Sequence, residues 1–236
     1  MARVLEAPVW TVGMRKGADF HIEDVTPTAA ETTASIRLPD GNRCALTLAV
    51  PGLHNLRNAA MAVAVAHALD ADLQAATQSL ASFVGVDRRF DVLGTKKGVT
   101  VVDDYAHHPS EVVATLGAAR QRYPGARVIA VFQPHLFSRT QEQADAFGIA
   151  LSAADHVVVT DVYAAREDPI PGVTGRLVAD AAERAGAEVE WVSDRDDLAE
   201  ALFAATSSGE VVIMLGAGDI TDVAHDLMSR LEGAAA

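Results

Sequence analysis

The chain has 236 residues, enough for one large or two modest domains, and its formal net charge is −13. This charge argues against a nucleic-acid backbone or an anionic membrane as the main partner, although an anionic small molecule remains open as a ligand. The lone cysteine, Cys44, excludes a disulfide framework and a thiolate metal cluster, and the longest apolar stretch, 59–69, is too short to span a bilayer. No signal peptide is visible, and we therefore expect a soluble, cytosolic protein.

Residues 1–50 contain short apolar runs that alternate with turn residues, a pattern that predicts β-strands. One of these turns, Pro39-Asp40-Gly41, combines the fixed φ of proline with a glycine that accepts a left-handed conformation. We expect an antiparallel meander. The predicted strands are 9–12, 20–25, 32–38 and 44–50.

The following segment predicts two helices. Residues 51–55 are expected to end a strand, and an alanine- and valine-rich pattern then predicts a helix over 58–69. A second helix is predicted over 72–83, with Asp70 or Asp72 as its N-cap.

After an expected linker at 84–89, strand and helix patterns alternate to the end of the chain. Residues 95–98 predict a turn that joins strands 90–94 and 99–102 in a hairpin. The alternation predicts an α/β fold with a Rossmann-like, mostly parallel sheet and helices on both faces. The remaining predicted strands are 127–132, 156–160, 189–192 and 211–215, and the predicted helices are 110–122, 140–152, 174–185, 195–206 and 220–231.

The segment 103–109, Asp-Asp-Tyr-Ala-His-His-Pro, follows a β-branched strand and precedes an amphipathic helix. It places the side chains of Asp104, Tyr105, His107 and His108 at the carboxyl end of a strand, where ligands bind in open α/β sheets. These groups supply acid, base and hydrogen-bond chemistry near neutral pH. A polar turn with one histidine capping a helix is the structural alternative.

Three later segments also follow predicted strands. Segment 133–140 carries His135, Ser138 as a candidate helix cap, and Arg139, whose guanidinium suits a carboxylate or phosphate. Because we place the ends of strands 99–102 and 127–132 side by side, we expect these residues to join the first group. Segment 161–172 is a long polar loop of the lid type.

The third of these segments contains Gly216 and Gly218, which permit a close backbone approach to an anion. The same two glycines are equally compatible with a tight turn. Two acidic residues and three histidines at these strand ends also raise the alternative of a metal-dependent hydrolase. Their spacing fits no standard ligand pattern, and Arg139 would oppose a cation, so we predict no metal ligands.

Taken together, five segments resemble the Mur ligase family, and in particular those members that add L-alanine to UDP-N-acetylmuramate in peptidoglycan synthesis. The resemblance covers essentially the whole chain. The segments are Gly-Leu-His-Asn-Leu-Arg-Asn-Ala-Ala at 52–60, Asp-Arg-Arg-Phe at 87–90, the Asp-Asp-Tyr motif at 103–109, Phe-Gln-Pro-His-Leu-Phe-Ser-Arg-Thr at 132–140 and Leu-Gly-Ala-Gly-Asp-Ile at 215–220.

The resemblance implies a reaction in which ATP, with Mg²⁺, phosphorylates the muramoyl carboxylate and the amine of L-alanine attacks the acyl phosphate. Asn55 and Asn58 match positions that meet the adenine, and Arg89 matches a linker arginine near the nucleotide. The catalytic candidates are Tyr105, His107 and Arg139, of which Arg139 is expected to hold the alanine carboxylate and His107 to orient or deprotonate the amine. The substrate-binding candidates are Asp104, His108, His135, Ser138, Gly216 and Gly218.

The chain departs from the family pattern at two points. Leu136 stands where many relatives have a second arginine. The sequence also lacks the Gly-x-x-Gly-Lys-Thr/Ser phosphate loop, the acidic Mg²⁺ ligands and the UDP-binding domain of the family. We therefore expect residues 1–86 to be part of the central ATPase domain, residues 87–236 to be the C-terminal domain, and the chain to have no ligase activity by itself.

Two further alternatives remain. A stand-alone α/β ligand-binding module would keep the fold without the chemistry, and a related ligase attaches a tripeptide to the same sugar acid. The sequence predicts no oligomeric state.

Overall fold

The computed structural model describes residues 9–28, 31–50 and 52–233. The chain divides into two compact units, Met1–Val84 and Gly85–Ala236, which we call the first and second units and describe separately. Pro51, which we expected near a strand end, lies outside the described residues. No helix in the described ranges is long and apolar enough to cross a membrane.

The first unit contains a four-stranded sheet in the order β1-β2-β3-β4. The antiparallel pairing of β2 with β3 and of β3 with β4 confirms the predicted meander for three strands. The prediction is wrong for β1, which runs parallel to β2. The Asp19 carboxylate accepts hydrogen bonds from the backbone N and Oγ1 of Thr11, at 2.8 and 2.7 Å. These bonds close the loop between β1 and β2, so that β2 starts beside β1 and runs in the same direction. The strands are β1 (Val12–Gly13), β2 (Phe20–Pro27), β3 (Thr32–Arg37) and β4 (Arg43–Leu48).

Two helices, α1 (Leu53–Ala68) and α2 (Leu73–Ala81), follow this sheet. The helix α1 begins five residues before the predicted start, because Gly52 takes a φ of 99° at the N-cap and lets the chain turn into the helix there. The expectation that 51–55 ends a strand is therefore wrong for residues 53–55. Asp72 caps α2 by accepting hydrogen bonds from Gln74 N and Ala75 N, and this confirms one of the two predicted caps.

One face of α1 packs against the sheet and forms the core of the first unit. The helix contributes small and branched apolar side chains, and the sheet contributes larger ones. The buried side chains are Leu56, Ala59, Ala60, Val63 and Ala64 from α1, and Phe20, Ile22, Ile36, Leu46 and Leu48 from the strands.

The second unit contains a six-stranded sheet in the order β5-β6-β10-β7-β8-β9, parallel except for the β5–β6 hairpin. The turn of this hairpin places Lys97 and Gly98 at φ values of 50° and 79°, as a two-residue turn with two left-handed positions requires. The strands are β5 (Asp91–Lys96), β6 (Val99–Asp104), β7 (Val128–Phe132), β8 (His156–Val159), β9 (Val189–Trp191) and β10 (Val211–Leu215). The predicted α/β class is confirmed.

Helices cover both faces of this sheet. The first face packs against α3 (Pro109–Arg122), α4 (Phe137–Leu151) and α5 (Arg176–Arg184), and the second against α6 (Arg195–Ala205) and α7 (Ile220–Gly233). Every predicted helix of this unit begins and ends within three residues of the observed one. Since both faces are covered by apolar clusters, the second unit has a complete two-sided core.

The strand order corrects one expectation. We placed the ends of β6 and β7 side by side, but β10 lies between them. All five residues of β10 are apolar and buried, and an apolar strand loses most contact with water when it is paired on both edges and covered on both faces. The segment 216–219 therefore emerges between the two histidine-bearing segments.

Candidate functional site

The end of β6 is shaped by the buried carboxylate of Asp104. Its Oδ2 accepts a hydrogen bond from Phe90 N and its Oδ1 accepts one from Ala106 N, both at 2.8 Å. Burial raises the pKa of the Asp104 carboxyl, and these bonds oppose that rise. The two oxygens thus hold the backbone just before β5, at Phe90, and just after β6, at Ala106. A direct contact of Asp104 with substrate stays a prediction.

His107 is held by hydrogen bonds at the start of α3. Its Nδ1 lies 2.8 Å from the carbonyl oxygen of Tyr105, so a neutral ring that donates from Nδ1 keeps the Nε2 lone pair available. The Glu111 side chain accepts the backbone N–H of His107 at 2.9 Å and that of His108 at 3.1 Å. Glu111 therefore fixes the turn that presents His107, as the acidic partner in a capping box does.

Sequence reasoning did not single out Glu111. The signal that could have found it is its position three residues after the N-cap, where a capping glutamate is common. The N-cap itself is His108, whose exposed imidazole lies 3.0 Å, measured from Nδ1, from Ser110 Oγ. Thus the His108 imidazole bonds to its own helix, and its predicted contact with substrate stays untested.

The segment after β7 brings His135 and Arg139 to His107. The ring centroids of His107 and His135 are 5.8 Å apart. Arg139 Nη1 lies 3.3 Å from His135 Nδ1 and 3.5 Å from the carbonyl oxygen of His107. Burial, followed by the charge of Arg139, lowers the pKa of the His135 imidazole, so a neutral ring next to a guanidinium is favoured.

Two aromatic rings flank this group. Tyr105 meets His107 edge to face with ring centroids 5.1 Å apart, and Tyr163 stacks on His135 at 5.8 Å with 17° between the ring planes. The structure therefore brings together four predicted residues from two separate strand ends, and it adds Tyr163 from the segment 161–172. Tyr163 was not predicted as a site residue, since only the loop as a whole stood out.

Positive charge surrounds Tyr105. The guanidinium carbons of Arg88 and Arg89 lie 5.0 and 5.5 Å from the centre of its ring, within cation–π distance. The Arg89 side chain is half-exposed, and its Nη1 lies 3.7 Å from Glu111 Oε1. With Arg139, these arginines make three cations on this side of the second unit, and their charge favours an anionic ligand.

Arg88 ties the linker to the strand ends. Its backbone takes a φ of 57°. Its Nε donates a hydrogen bond to Asp103 Oδ2 at 3.1 Å. Its Nη2 donates to the carbonyl oxygens of Gly216 and Gly218, at 2.8 and 3.2 Å. Thr221 Oγ1 donates to the same Asp103 oxygen at 2.6 Å. The sequence placed Arg88 only in the expected linker and in the Asp-Arg-Arg-Phe segment, because its partners are distant in the chain.

The turn after β10 requires glycine because its neighbours approach closely. A Cβ on Gly218 would lie 2.5 Å from both Gln133 Oε1 and the Tyr163 ring, so a larger residue would displace one of them. Gly216 N donates to the carbonyl oxygen of Asp104 at 3.1 Å. These contacts show that both glycines are needed for a tightly packed turn. Their predicted contact with substrate stays untested.

The helix α4 corrects the predicted role of Ser138. The helix begins after Leu136, which has a φ of 72° and acts as the N-cap. Ser138 lies inside the first turn, and its backbone N and Oγ donate to the Glu167 carboxylate at 2.9 and 2.5 Å. Hydrogen bonding from Ser138 lowers the pKa of the Glu167 carboxyl. A residue of the loop 161–172 therefore supplies the cap that we assigned to Ser138.

Asn55 and Asn58 lie in the first unit, on the first two turns of α1. No three His, Cys, Asp or Glu side chains in the described part of the chain are arranged to hold a metal ion.

The second unit thus combines an α/β sheet with a strand-end site of two histidines, two tyrosines and three arginines, which defines a candidate site for an anionic substrate. The family model for the Mur ligase glutamate ligase domain matches residues 88–218, more than half of the chain. The chain therefore belongs to the Mur ligase family.

Individual relatives agree with this assignment. The chain is 50% identical, over 229 residues, to a UDP-N-acetylmuramate–L-alanine ligase of Cutibacterium acnes, and the match covers 96% of this chain and 48% of that protein. A ligase of the same name from Kineococcus radiotolerans is 49% identical over 94% of this chain and 47% of its own length. The chain spans about half the length of the curated relatives it matches.

Among solved structures, the UDP-N-acetylmuramate–alanine ligase of Thermotoga maritima superimposes with a TM-score of 0.80 at 29% identity, over 93% of this chain and 47% of that protein. A murein peptide ligase of Psychrobacter arcticus has a TM-score of 0.70 at 22% identity, over 97% of this chain and 48% of that protein. The second likeness shows the shared fold alone.

Proposed function

We propose that this chain is part of an ATP-dependent ligase that joins L-alanine to UDP-N-acetylmuramate through an acyl phosphate. The observation that carries the proposal is the meeting of His107, His135 and Arg139 across the ends of β6 and β7. The similarity to ligases named for L-alanine supports the choice of amino acid.

Arg139 is the proposed ligand of the alanine carboxylate, because its planar guanidinium can make two parallel hydrogen bonds to a carboxylate. His107 is the proposed partner of the amine. An ammonium group must lose a proton before it can attack, and the Nε2 lone pair left by the Nδ1 contact with Tyr105 can accept it. Tyr105 is proposed to line the same pocket.

The same cations suit the negative charge that develops during attack on the acyl phosphate. A guanidinium fixed in place before the reaction stabilises a charged intermediate without reorganisation. Arg139 lies within 3.5 Å of His107 and His135, and Arg89 is proposed to meet the nucleotide phosphates. His135, held neutral beside Arg139, is proposed to orient that guanidinium.

ATP is the proposed phosphoryl donor, with Asn55 and Asn58 as the proposed ligands of adenine, since an amide both donates and accepts hydrogen bonds. No three His, Cys, Asp or Glu side chains among the described residues are placed to hold a metal ion together, so we derive no step through Mg²⁺. We propose that residues 1–86 belong to the central ATPase domain and 87–236 to the C-terminal domain. A cytoplasmic location follows from the use of ATP.

The proposal is tested by fusing this chain to the part of the Cutibacterium acnes relative that it does not match. The fusion should release ADP only when UDP-N-acetylmuramate, L-alanine, ATP and Mg²⁺ are all present, whereas the chain alone should release none. Replacing L-alanine by a tripeptide distinguishes the related recycling ligase. In the fusion, Arg139→Met should raise the KM for L-alanine by roughly tenfold or more.

The matched control is Arg184→Met, which removes an exposed arginine paired with Asp145 and should leave the KM unchanged. Turnover by the chain alone would contradict its predicted inactivity. A folded fusion that binds all substrates without releasing ADP would favour a ligand-binding module instead.

A further inference from the structure

The loop that joins β1 to β2 forms the wall of a cavity in the first unit. The cavity has a volume of about 450 Å³ and is lined by residues 11–18 together with Arg57 of α1. Pockets of this size commonly hold small molecules. Every residue that lines the cavity belongs to the first unit, so the cavity shares no residue with the strand-end site of the second unit.

Three of the residues that line this cavity are cations, and none of its lining residues is acidic. The cations are the exposed side chains of Arg15, Lys16 and Arg57. None of the three forms an ion pair with another residue of the described ranges, whereas Arg43 of the same unit pairs with Glu23 at 2.8 Å. Like charges that line one cavity repel one another, so an anion bound there would be stabilised by all three.

The loop is held in place at both of its ends. Asp19 Oδ2 accepts hydrogen bonds from the backbone N and Oγ1 of Thr11, and Asp19 N donates to the same Oγ1 at 3.1 Å. The bonds from Thr11 lower the pKa of the Asp19 carboxyl, which therefore stays ionised on Thr11 and does not line the cavity. His21 Nε2 lies 3.3 Å from the carbonyl oxygen of Met14. A loop that is ordered before a ligand arrives loses less conformational entropy when the ligand binds.

The tip of the loop is a tight turn with open space beside it. Ala18 N donates to the carbonyl oxygen of Arg15 at 3.1 Å, and Gly17 takes a φ of 95°. A Cβ added to Gly13 or to Gly17 would meet no atom within 4 Å. The backbone of this turn is therefore accessible to a ligand in the cavity, as backbone without a side chain allows.

Arg57 belongs to a different side of α1 from the two asparagines that we propose for adenine. Asn55 lies two residues before Arg57 and Asn58 lies one residue after it, and residues at these intervals do not face one another on a helix. Neither asparagine lines the cavity. The cavity therefore differs from the proposed adenine site.

We propose that this cavity binds a diphosphate group, either as inorganic pyrophosphate or as part of a nucleoside diphosphate. A phosphoryl group carries a charge of about −1.5 to −2 at pH 7, so three cations match two phosphoryl groups more closely than one. Two of the cations are arginines, whose planar guanidinium groups make paired hydrogen bonds to phosphate oxygens. A single carboxylate would leave two cations without a partner. This binding holds whether or not the chain is part of a ligase.

The test titrates the chain with pyrophosphate at low salt and without Mg²⁺, because salt screens exposed charges. The NMR signals of the Gly13 and Gly17 amides report binding in this cavity directly, and both should shift. Arg15→Ala and Arg57→Ala should each weaken this binding by roughly tenfold, because each removes a charge-assisted hydrogen bond. Inorganic phosphate should bind at least about fivefold more weakly than pyrophosphate, since it brings less charge.

The matched control is Arg43→Ala, which removes a cation of the same unit whose side chain is 61% exposed and lies outside the cavity. It should leave the affinity for pyrophosphate unchanged. Arg57→Lys should recover part of the affinity that Arg57→Ala loses, because it restores the charge without the planar fork. Arg15 and Arg57 are exposed, so their variants should keep the circular dichroism spectrum of the parent.

ADP distinguishes the two sources of the diphosphate. If ADP shifts the Gly13 and Gly17 amides and depends on Arg57 as pyrophosphate does, the ligand is a nucleoside diphosphate. If ADP leaves these amides unshifted while pyrophosphate shifts them, the ligand is free pyrophosphate.

The proposal is overturned if pyrophosphate leaves the two amides unshifted, if Arg43→Ala weakens binding as much as Arg57→Ala, or if inorganic phosphate binds as tightly as pyrophosphate. The proposed function fails separately, because it is judged by ADP release from the fusion and does not involve this cavity.

Discussion

The two units of this chain differ in how their apolar side chains are covered. In the second unit, α3, α4 and α5 cover one face of the sheet and α6 and α7 cover the other. In the first unit, one apolar cluster joins the sheet to α1, and the outward side of α1 keeps Met61 and Val65 exposed. A unit with a closed core can position a site by itself, whereas a unit with an exposed apolar face needs further contacts.

The largest expected effects test this difference in the cores. Phe147 is 1% exposed and its ring lies 4.9 Å from that of Phe132. Phe147→Ala should lower the unfolding free energy of the second unit by about 3–5 kcal/mol, because it removes buried contacts and leaves a cavity. Val65→Ala should change the unfolding free energy of the first unit by less than about 0.5 kcal/mol, since the side chain is exposed.

The two tryptophans allow the units to be followed separately, because Trp10 lies in the first unit and Trp191 in the second. Urea unfolding of the variants Trp10→Phe and Trp191→Phe reports one unit at a time. If Val65→Ala destabilises the first unit as strongly as Phe147→Ala destabilises the second, the outward side of α1 is already covered. The two units would then not differ in how their apolar side chains are covered.

The next effect concerns the site. Arg88→Leu should destabilise the second unit by about 2 kcal/mol, because it leaves the buried Asp103 carboxylate with Thr221 alone and frees the carbonyl oxygens of Gly216 and Gly218. This loss of unfolding free energy is smaller than that for a fully buried ion pair, because the Arg88 side chain is 25% exposed and water screens its charge. Urea unfolding followed at Trp191 measures it.

Arg88→Lys should recover part of this loss, since it restores the charge without the planar fork. Arg184→Met, at an exposed pair, should cost almost nothing. An Arg88→Leu variant as stable as the parent would show that the Arg88 contacts do not hold the strand ends together.

A smaller effect should be the same in both units. Asp72 caps α2 in the first unit, and Asp194 caps α6 in the second. Changing either residue to alanine should cost about 1 kcal/mol, because the Asp72 carboxylate accepts two backbone N–H groups at a helix start and the Asp194 carboxylate accepts one. Single-tryptophan unfolding measures each loss, and a much larger loss at Asp72 would mean that α2 makes contacts beyond its own unit.

The last effect depends on pH and belongs to the site alone. Burial and the Arg139 charge lower the pKa of His135 from its usual value of 6.5. The unfolded chain therefore binds the proton more readily, so His135 contributes stability above pH 6.5 that is lost as the pH falls below that value.

Thermal unfolding between pH 7.5 and 5.5 measures this loss, which should be smaller in His135→Gln than in the parent. His108→Gln, at an exposed histidine, is the control and should behave as the parent does. An unchanged pH dependence in His135→Gln would remove the argument for a neutral imidazole beside Arg139.

The sequence by itself determined the elements of the second unit. Apolar residues at helical or strand spacing placed its helices within three residues of their observed ends, and residues 95–98 marked the hairpin turn, which the structure narrows to Lys97 and Gly98. It also identified the site segments, because Tyr105, His107, His135 and Arg139 stand directly after predicted strands. These are local properties, since side-chain period and turn chemistry depend on residues close in the chain.

The tertiary structure decided the rest. It placed β10 between β6 and β7, ran β1 parallel to β2, and started α1 and α4 after left-handed residues, Gly52 and Leu136. It also gave Arg88 and Glu167 their partners and moved the cap of α4 from Ser138 to Glu167. Strand order and long-range hydrogen bonds join residues that are far apart in the chain, so burial and geometry select among arrangements that the local pattern leaves equally possible.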